Sequence, residues 1–541
     1  MSGTLHVAIG AALAIAGWLS PRWVAGARRL SIATLLDVAP LAFVFGTLLA
    51  ATGRPIFAGV VVFALGAGFA IADRTLRDVL REPVVFTALS ELPQVFTHPH
   101  LYLPFAGTGL VIGGAVTAVL AGLALLVAEP TAMAPHPFAA TILAGLVAAL
   151  LWRLGREPWL GTAARMLRRL GPSGEPFADA VRLGPVAILI VHGVIARAER
   201  PARRARLAAP AVIGDVASAR PIVLVQCESF FDARRAFTDL PRTVLTGYDT
   251  ACAGGGHGRL SVSAWGANTM RAEFAVLTGF DDTALGYDRF NPYHALARGR
   301  IASHVWRLRA AGYRTICLHP FDRRFFRRDL AMPALGFEVF LGRETLGGGR
   351  TPPYMSDPEL AEHILRMLDR GRPRTFVFAV TMGNHGPWTK DLSPPPGLAR
   401  PSTSLLATTE TEDVDAHGSS PWAEGPRVTP GQGEKGKGRE LINYLAGLRH
   451  SDEMIQILVD GLARRGDEAV LGFYGDHLPS LPREFARLGF DDWRSDYAIW
   501  SADGISRRRD LAAHELGRAI VEAAAPEATA RDAVVAEPHD A

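Results

Sequence analysis

Lysine is nearly absent from this sequence. It occurs only at Lys390, Lys435 and Lys437, so arginine carries almost all of the positive charge. The 57 basic residues are nearly balanced by 53 acidic ones, which leaves a formal net charge of +4. A balance this close produces no broad positive field that would attract a polyanion. The composition therefore predicts that nucleic acid is not a partner.

Cysteine is scarce as well. Cys227, Cys252 and Cys317 are the only three in 541 residues, and they are widely spaced. This number excludes a disulfide framework and a cysteine-rich zinc cluster, and we expect small buried thiols instead. The first residues also lack the basic segment and the small-residue cleavage site of a secretory signal. No removable signal peptide is therefore expected.

Long hydrophobic runs are abundant, and they are concentrated in the first third of the chain. The pattern predicts a transmembrane helical bundle over residues 1–198, because several runs approach the roughly 20 residues that cross a bilayer. A shorter apolar stretch at 183–196 contains His192, and we expect it either to form a sixth span or to lie in the membrane interface. The five expected spans are Leu5–Leu19, Ala33–Thr52, Ile56–Ala72, Leu103–Ala128 and Pro137–Trp152.

The pattern changes after the membrane domain. Residues 199–220 are rich in Arg, Ala and Pro and predict a linker. Residues 221–522 alternate short apolar runs with amphipathic stretches, which predicts an α/β domain with a mostly parallel sheet flanked by helices. An insertion at 393–438 and a tail at 523–541 are expected to be disordered. The expected strands are 221–227, 313–320, 375–382, 469–475 and 496–501, and expected helices include 302–312 and 356–371.

Chemically reactive side chains follow the expected strands. In a parallel sheet, ligands bind beyond the carboxyl ends of the strands, so these positions are candidates for a site. Glu228 follows the first strand, His385 follows the third, and Asp476 with His477 follows the fourth. The segment after the second strand carries His319, Asp322, Phe326 and Arg328.

Thr269 is a further candidate, because it lies where a helix is expected to begin. The free N–H groups and the dipole of a helix N-terminus favour an anion. Taken singly, Glu228 and Thr269 have an ordinary alternative role as helix caps, and Asp476 with His477 as a loop ion pair. Their coincidence at one edge of a sheet favours a common site.

The combination of these groups predicts a reaction class. Carboxylates with an imidazole suit a divalent metal such as manganese, magnesium or zinc. A metal beside a hydroxyl lowers the pKa of that hydroxyl and makes it a nucleophile. Arginine side chains can hold the oxygens of a phosphoryl group. The residues therefore predict metal-assisted phosphoryl or sulfuryl transfer through a covalent intermediate on Thr269.

Five segments, taken in order, resemble one enzyme family. They are VQCESFFDARR, NTMRAEFAVLTG, HPFDRRFFRRDLAMPALGFEVF, VTMGNHGPW and GFYGDHLP. Together they resemble the lipoteichoic acid synthase, or phosphoglycerol transferase, family of the alkaline phosphatase and sulfatase superfamily. The resemblance covers residues 221–504, and residues 80–92 resemble more loosely an interfacial helix of that family. It implies a sulfatase-like catalytic domain on a membrane anchor.

The resemblance also implies roles for individual residues. Thr269 would be the catalytic nucleophile, and Glu273 stands where the family also has a glutamate. One divalent metal ion is implied, with manganese expected and magnesium or zinc as alternatives. Its ligands would be Glu228, Thr269, Asp476 and His477. The implied substrate contacts are His385, Asp322, Arg328 and Phe326, the last in place of a tryptophan in the Gram-positive polymerases.

The implied activity is transfer of a phosphoglycerol group from phosphatidylglycerol to an extracytoplasmic glycan or glycolipid. Two alternatives stay open: a sulfatase, phosphatase or phosphoethanolamine transferase of the same superfamily, and a non-catalytic membrane protein that binds or senses a ligand. Sulfatases generally need a C/S-x-P-x-R segment, which NTMRAEF is not. Phosphoethanolamine transferases usually carry several disulfides, which three cysteines cannot supply.

The implied location is the inner membrane, with several spans and an extracytoplasmic catalytic domain. The distribution of arginine conflicts with this orientation. Arginines cluster after the first, third and fifth hydrophobic runs, and by the positive-inside rule these loops are cytoplasmic. Five spans would then leave the catalytic domain in the cytoplasm, unless residues 183–196 also cross.

Overall fold

The computed structural model describes residues 3–209, 220–349, 354–370, 374–388, 439–466 and 468–525. The insertion expected to be disordered, 393–438, lies outside the described residues, as do residues 526–541 of the expected tail.

Five helices of the N-terminal region, α1, α2, α3, α6 and α7, are long and apolar enough to cross a membrane. They correspond to the five hydrophobic runs, so the predicted helical membrane domain is confirmed. Their outer faces expose large apolar side chains such as Leu120 and Leu146, which suits a surface surrounded by lipid. The helices of this region are α1 (Gly3–Ala25), α2 (Thr34–Thr52), α3 (Pro55–Leu80), α4 (Ala88–Thr97), α5 (Pro99–Ala106), α6 (Thr108–Ala128), α7 (Pro137–Leu154), α8 (Trp159–Arg168), α9 (Pro176–Leu183) and α10 (Pro185–Leu207).

Helices α1 and α3 pack closely because glycines face each other. A Cβ atom at Gly66 would lie 1.9 Å from the carbonyl oxygen of Gly17, and one at Gly10 would lie 2.1 Å from that of Pro55. Small residues let two backbones approach in the way that is typical of membrane helix pairs. This contact fixes the position of α3, whose C-terminal end reaches the second domain.

The stretch 183–196 is not part of the five helices that are both long and apolar enough to cross a membrane. It forms the start of α10, which buries Ile188, Val191 and Ile195 in a core shared with α8 and α9. The helix continues to Leu207 because its second half is a run of helix-forming Arg and Ala. The predicted linker at 199–220 is therefore wrong in its first part, which is helical.

A nine-stranded sheet forms the second domain, in the order β4-β3-β5-β1-β6-β7-β2-β8, with β9 paired to β2. Strands β4, β3, β5, β1 and β6 are parallel, and β7 is antiparallel to β6 and β2. The predicted fold class is confirmed. The strands are β1 (Ile222–Cys227), β2 (Gly255–Ser261), β3 (Arg314–Leu318), β4 (Val339–Leu341), β5 (Thr375–Val380), β6 (Val470–Gly475), β7 (Ser495–Trp500), β8 (Arg507–Arg508) and β9 (Leu511–Ala512).

All five expected strands are present, as β1, β3, β5, β6 and β7. Helices cover both faces of the sheet, so successive residues of β1 enter two different cores: Leu224 packs on one side and Val225 on the other. The helices of this domain are α11 (Thr246–Ala253), α12 (Thr269–Thr278), α13 (Asp282–Leu285), α14 (Pro292–Leu296), α15 (His304–Ala310), α16 (Arg328–Leu335), α17 (Arg343–Leu346), α18 (Asp357–Asp369), α19 (Arg439–Arg465), α20 (Pro482–Arg487) and α21 (Ala513–Ala523).

Candidate metal centre

The central strands of the sheet bring two carboxylates together. Strands β1 and β6 are parallel neighbours, and Cys227 pairs with Gly475 at their carboxyl ends. The next residue on each strand is therefore Glu228 and Asp476. Ligand atoms of Glu228, Asp476 and His477 all lie within 4.8 Å of one another, and all three side chains are buried.

Hydrogen bonds orient these three side chains. The backbone N–H groups of Ser229 and His477 donate to Oδ1 of Asp476 at 2.8 and 2.9 Å. The Ser229 hydroxyl donates to Oε1 of Glu228 at 2.8 Å. Ser229 has a φ of 57°, a left-handed conformation that is typical of strained residues at functional sites.

The possible metal-binding atoms of the three side chains lie close together. Oδ2 of Asp476 is buried and has no hydrogen-bond partner among the described residues. Nε2 of His477 lies 3.3 Å from this oxygen and 3.5 Å from Oε1 of Glu228. Nδ1 of His477 lies 2.9 Å from the carbonyl oxygen of Leu478. That carbonyl can only accept, so Nδ1 carries the proton and Nε2 presents its lone pair to the two carboxylates.

The electrostatics of the cluster suit a cation. Burial, followed by the charge of Asp476, raises the pKa of Glu228 to about 8. Two adjacent buried carboxylates repel each other, and a positive ion between them would remove the repulsion. Two carboxylate groups and one imidazole are a donor set that manganese, magnesium and zinc accept. The residues therefore fit one divalent metal ion.

Thr269 is the first residue of α12 and is buried. The loop before it lies against the loop that follows the metal cluster, since a Cβ atom at Gly266 would lie 3.3 Å from Cβ of Ser480. Asn268 has a φ of 66°, which turns the chain sharply into the helix. The hydroxyl of Thr269 is thus at the positive end of the α12 dipole, where an anion is favoured. Its role as nucleophile and metal ligand stays a prediction.

Arg328 and Glu273 form a buried ion pair beside this cluster. The two nitrogens Nε and Nη2 of Arg328 donate to the Glu273 carboxylate at 2.9 to 3.2 Å. Tyr293 and Gln226 donate to the same carboxylate at 2.6 and 3.1 Å. Arg328 is 1% exposed, so most of its guanidinium holds Glu273. Nη1 alone is directed elsewhere, 3.5 Å from Nε2 of His319.

The other predicted substrate contacts occupy different surroundings. His385 is half-buried near the cluster: desolvation lowers its pKa, and the charge of Asp476 opposes this shift. Phe326 packs against Phe325 with ring centroids 4.3 Å apart and the ring planes tilted by 48°. Asp322 accepts a hydrogen bond from the backbone of Arg324 at 2.9 Å and lines a surface cavity of about 590 Å³. The substrate contacts of all three stay predictions.

Several residues around the centre were not predicted. Ser229 holds two ligands, and Tyr293 and Gln226 hold Glu273, as described above. Tyr354 places its ring 6.2 Å from that of His385. No local pattern identifies these residues, because each acts on a partner that is remote in sequence. Only the position of Ser229, directly after Glu228 at a strand end, is a usable indication.

The membrane domain contacts the elements that carry the site. The Ser480 hydroxyl donates to the carbonyl oxygen of Val79 at the end of α3, at 3.0 Å. Arg271 of α12 pairs with Glu82 at 2.8 Å. His98, between α4 and α5, has its ring centroid 5.4 Å from that of Phe321. The predicted interfacial segment therefore lies against the catalytic domain.

Comparison with known proteins gives three further findings. Residues 220–523 match the model of a family described as Sulfatase. The capsular polysaccharide biosynthesis protein RkpI of Rhizobium meliloti (strain 1021) is 29% identical over 495 residues, 88% of this chain and 82% of that protein. The lipooligosaccharide phosphoethanolamine transferase A (EptA) of Neisseria meningitidis, an integral membrane protein, has a similar fold. Its TM-score is 0.52 at 14% identity, over 96% of this chain and 95% of that chain.

Proposed function

Because this chain belongs to the sulfatase family, we propose that it is a membrane-anchored, metal-dependent phosphoglycerol transferase. It moves a phosphoglycerol-type group from phosphatidylglycerol to an extracytoplasmic glycan or glycolipid through a covalent intermediate on Thr269. The observation that carries the proposal is the converging set Glu228, Asp476 and His477, in which a buried carboxylate oxygen of Asp476 has no partner among the described residues. The resemblance of the five sequence segments supports phosphoglycerol as the transferred group.

Glu228, Asp476, His477 and Thr269 would hold the metal ion. When bound there, a divalent cation supplies positive charge that lowers the pKa of a coordinated hydroxyl and stabilises charge on a phosphoryl group. The burial of the three side chains keeps water from competing for these positions. Ser229 fixes Glu228 and Asp476 in the required orientation through its two hydrogen bonds.

The transfer takes place in two displacements. Thr269 Oγ1 loses its proton and forms a bond with the donor phosphorus as the bond from phosphorus to the diacylglycerol oxygen breaks, and that oxygen takes up a proton. An acceptor hydroxyl then loses its proton and attacks the same phosphorus, and the bond from phosphorus to Thr269 Oγ1 breaks as Oγ1 takes up a proton. The N-terminus of α12 favours the negative phosphoryl group in both steps. Covalent catalysis of this kind divides one difficult displacement into two easier ones.

His385 is placed to contact a hydroxyl in either step. Its Nδ1 lies 2.6 Å from the carbonyl oxygen of Gly386, so Nδ1 is the protonated nitrogen. Burial lowers the pKa of His385, which favours a neutral ring at pH 7. The neutral ring offers Nε2 as an acceptor for a hydroxyl of the donor or of the acceptor. Arg328 holds Glu273 through Nε and Nη2, and the substrate contact expected of Arg328 would fall to its remaining nitrogen, Nη1.

The identity of the acceptor is supported by the relatives. RkpI is described as a capsular polysaccharide biosynthesis protein, and it is similar to this chain through both the membrane and the catalytic region. A glycan at the cell surface is the corresponding acceptor here. The donor reaches the site from the membrane, because α3 and the α4–α5 segment adjoin the catalytic elements.

The test uses the purified full-length protein, manganese and labelled phosphatidylglycerol. We expect diacylglycerol release that a chelator removes and that Thr269→Ala lowers at least 1,000-fold, by about the factor seen when a covalent nucleophile is lost. Thr278→Ala is the matched control, because Thr278 lies at the other end of the same helix, where its hydroxyl donates to the Phe274 carbonyl oxygen and accepts from the backbone N–H of Phe280. It should keep its activity.

Three outcomes would contradict the proposal. Turnover of phosphatidylethanolamine or a sulfate ester without turnover of phosphatidylglycerol would favour another activity of the superfamily. Full activity of Thr269→Ala would exclude Thr269 as the nucleophile. Binding without turnover of any of these substrates would favour the non-catalytic alternative.

A further inference from the structure

Tyr354 carries a buried hydroxyl that the fold does not use. Its Oη has no hydrogen-bond partner among the residues that the structure describes. Buried hydroxyl groups in native proteins are nearly always paired, so each exception requires an explanation. Oδ2 of Asp476 in the metal cluster is unpaired in the same sense, and there the explanation is a ligand. The same explanation is available for Tyr354.

The ring of Tyr354 is held between two active-site loops. It meets Phe321, which follows β3, edge to face at 5.8 Å and 89°. It meets His385, which follows β5, at 6.2 Å and 74°. Phe321 is itself packed against Phe325 and against His98 of the membrane domain. The position of the hydroxyl is therefore determined by aromatic packing on both sides, and no polar contact to the protein is needed to hold it.

Tyr354 is also close enough to the metal centre for the charge of Glu228 to act on its hydroxyl. Burial, followed by the negative charge of Glu228, raises the pKa of Tyr354. A phenol with a raised pKa stays neutral and can both donate and accept a hydrogen bond. His385 approaches the same centre, as the effect of Asp476 on its pKa indicates. Tyr354 and His385 are thus neighbours, with ring centroids 6.2 Å apart, and both feel the charges of the metal cluster.

We propose that Tyr354 is a specificity-determining residue whose hydroxyl hydrogen-bonds a hydroxyl of the transferred alcohol group. The assignment rests on the proposed function and deepens it. The group that contacts Tyr354 would be the alcohol that is transferred together with the phosphoryl group. A neutral phenol pairs best with a neutral hydroxyl on that alcohol. A donor whose alcohol lacks hydroxyls would leave Oη buried and unpaired, and sites built in this way reject such analogues strongly.

The experiment compares two water-soluble donors on the full-length protein in detergent with manganese. One is the p-nitrophenyl diester of glycerol phosphate, and the other is methyl p-nitrophenyl phosphate, which has no hydroxyl. The ratio of their kcat/KM values, measured from p-nitrophenolate release, reports the selectivity for the hydroxylated alcohol. We expect Tyr354→Phe to lower this ratio about tenfold or more, through loss on the glycerol diester alone.

Tyr313→Phe is the matched control. The Tyr313 hydroxyl donates to the carbonyl oxygen of Arg220 at 2.8 Å, at the opposite end of the sheet from the strand termini that carry the site. This variant should keep the wild-type ratio. Thermal unfolding of both variants, measured in the same detergent, establishes that each is folded.

Several results would overturn the inference. An equal loss on both donors would mean that Tyr354 has a structural role, and an unchanged ratio would mean that it does not contact the alcohol. A wild-type ratio near one would mean that the enzyme does not select for the hydroxylated alcohol. That result would overturn the inference but not the proposed transfer reaction. Failure of the wild-type protein to cleave either donor would overturn the proposed function, and this inference with it.

Discussion

At the scale of single residues, His304 is a half-buried base whose two ring nitrogens are shielded from water. Neither ring nitrogen has a hydrogen-bond partner among the described residues. The side chain is wedged against α21, where a Cβ atom at Gly517 would lie 2.6 Å from its ring. Burial, followed by the charges of Arg307 and Arg518, lowers the pKa of His304 from 6.5 to about 4. The native form is therefore the neutral imidazole.

This shift predicts a dependence of stability on pH. The unfolded chain takes up a proton on His304 below about pH 6.5, whereas the folded protein resists until about pH 4. Stability therefore falls as the pH falls through this window, by about 3 kcal/mol in total. His304→Leu should reduce the change in thermal unfolding temperature between pH 7 and pH 4. An identical pH profile for the variant would show that His304 does not contribute.

At the scale of elements, the residues at the C-terminal end of α3 contact α12 and the loop that leads into it. Arg81 lies over the ring of Trp265 at 3.6 Å, next to the loop that leads to Thr269. Glu82 pairs with Arg271 on α12, and the two side chains are 16% and 8% exposed. Because this loop and α12 both contact the end of α3, the orientation of α12 depends on the membrane domain.

We expect Glu82→Gln to loosen this junction. The guanidinium of Arg271 would lose a charged acceptor, at a cost of about 1–2 kcal/mol. Amide hydrogen exchange of residues 263–271 should accelerate roughly tenfold, since local opening becomes that much more favourable. Asp78→Asn, near the same end of α3, is the matched control. Its 3.9 Å pair with Arg74 is exposed and contributes little to stability. Equal acceleration in both variants would exclude a specific role for Glu82.

At the scale of the whole molecule, contacts divide the loops between two faces of the membrane domain. At one face, Ala132 donates to the carbonyl oxygen of Gly53 at 2.9 Å, and Gly3 approaches Ala132. At the other, Arg22 donates to Asp37 at 2.8 Å and Ser480 bonds the end of α3. The N-terminus is therefore on the face opposite to the catalytic domain.

Several of the arginines whose number conflicts with an extracytoplasmic catalytic domain make contacts within the protein. Arg22 pairs with Asp37, Arg77 with Asp73, and Arg81 stacks on Trp265. These arginines lie on the catalytic face, but protein groups neutralise or cover them. These arginines therefore contribute to the packing of this face.

We expect the catalytic domain to be extracytoplasmic. An alkaline phosphatase reporter, which folds only outside the cytoplasm, should be active when fused to the C-terminus and inactive when fused to the N-terminus. A fluorescent reporter that folds only in the cytoplasm should give the reverse pattern. Phosphatase activity at the N-terminal fusion alone would contradict the proposed orientation.

The sequence was most informative where chemistry follows local geometry. Parallel strands end at one edge of a sheet, so Glu228, Asp476 and His477 could be grouped from strand positions alone. The other four strands were missed. Strand β2 is rich in glycine, and β4, β8 and β9 have only two or three residues each. Such segments have too few side chains for a periodic pattern.

Sequence by itself determined the five membrane helices, the central parallel strands and the residues that stand at their ends, because apolar periodicity and strand polarity are local properties of the chain. Tertiary structure alone decided what those residues touch. Arg328 was expected at the substrate, yet most of its guanidinium holds Glu273. Tyr354 showed no pattern, yet its ring packs against His385 and its hydroxyl is buried without a partner among the described residues. Both outcomes depend on packing between segments that are remote in sequence, and a buried polar group takes whichever partner that packing supplies.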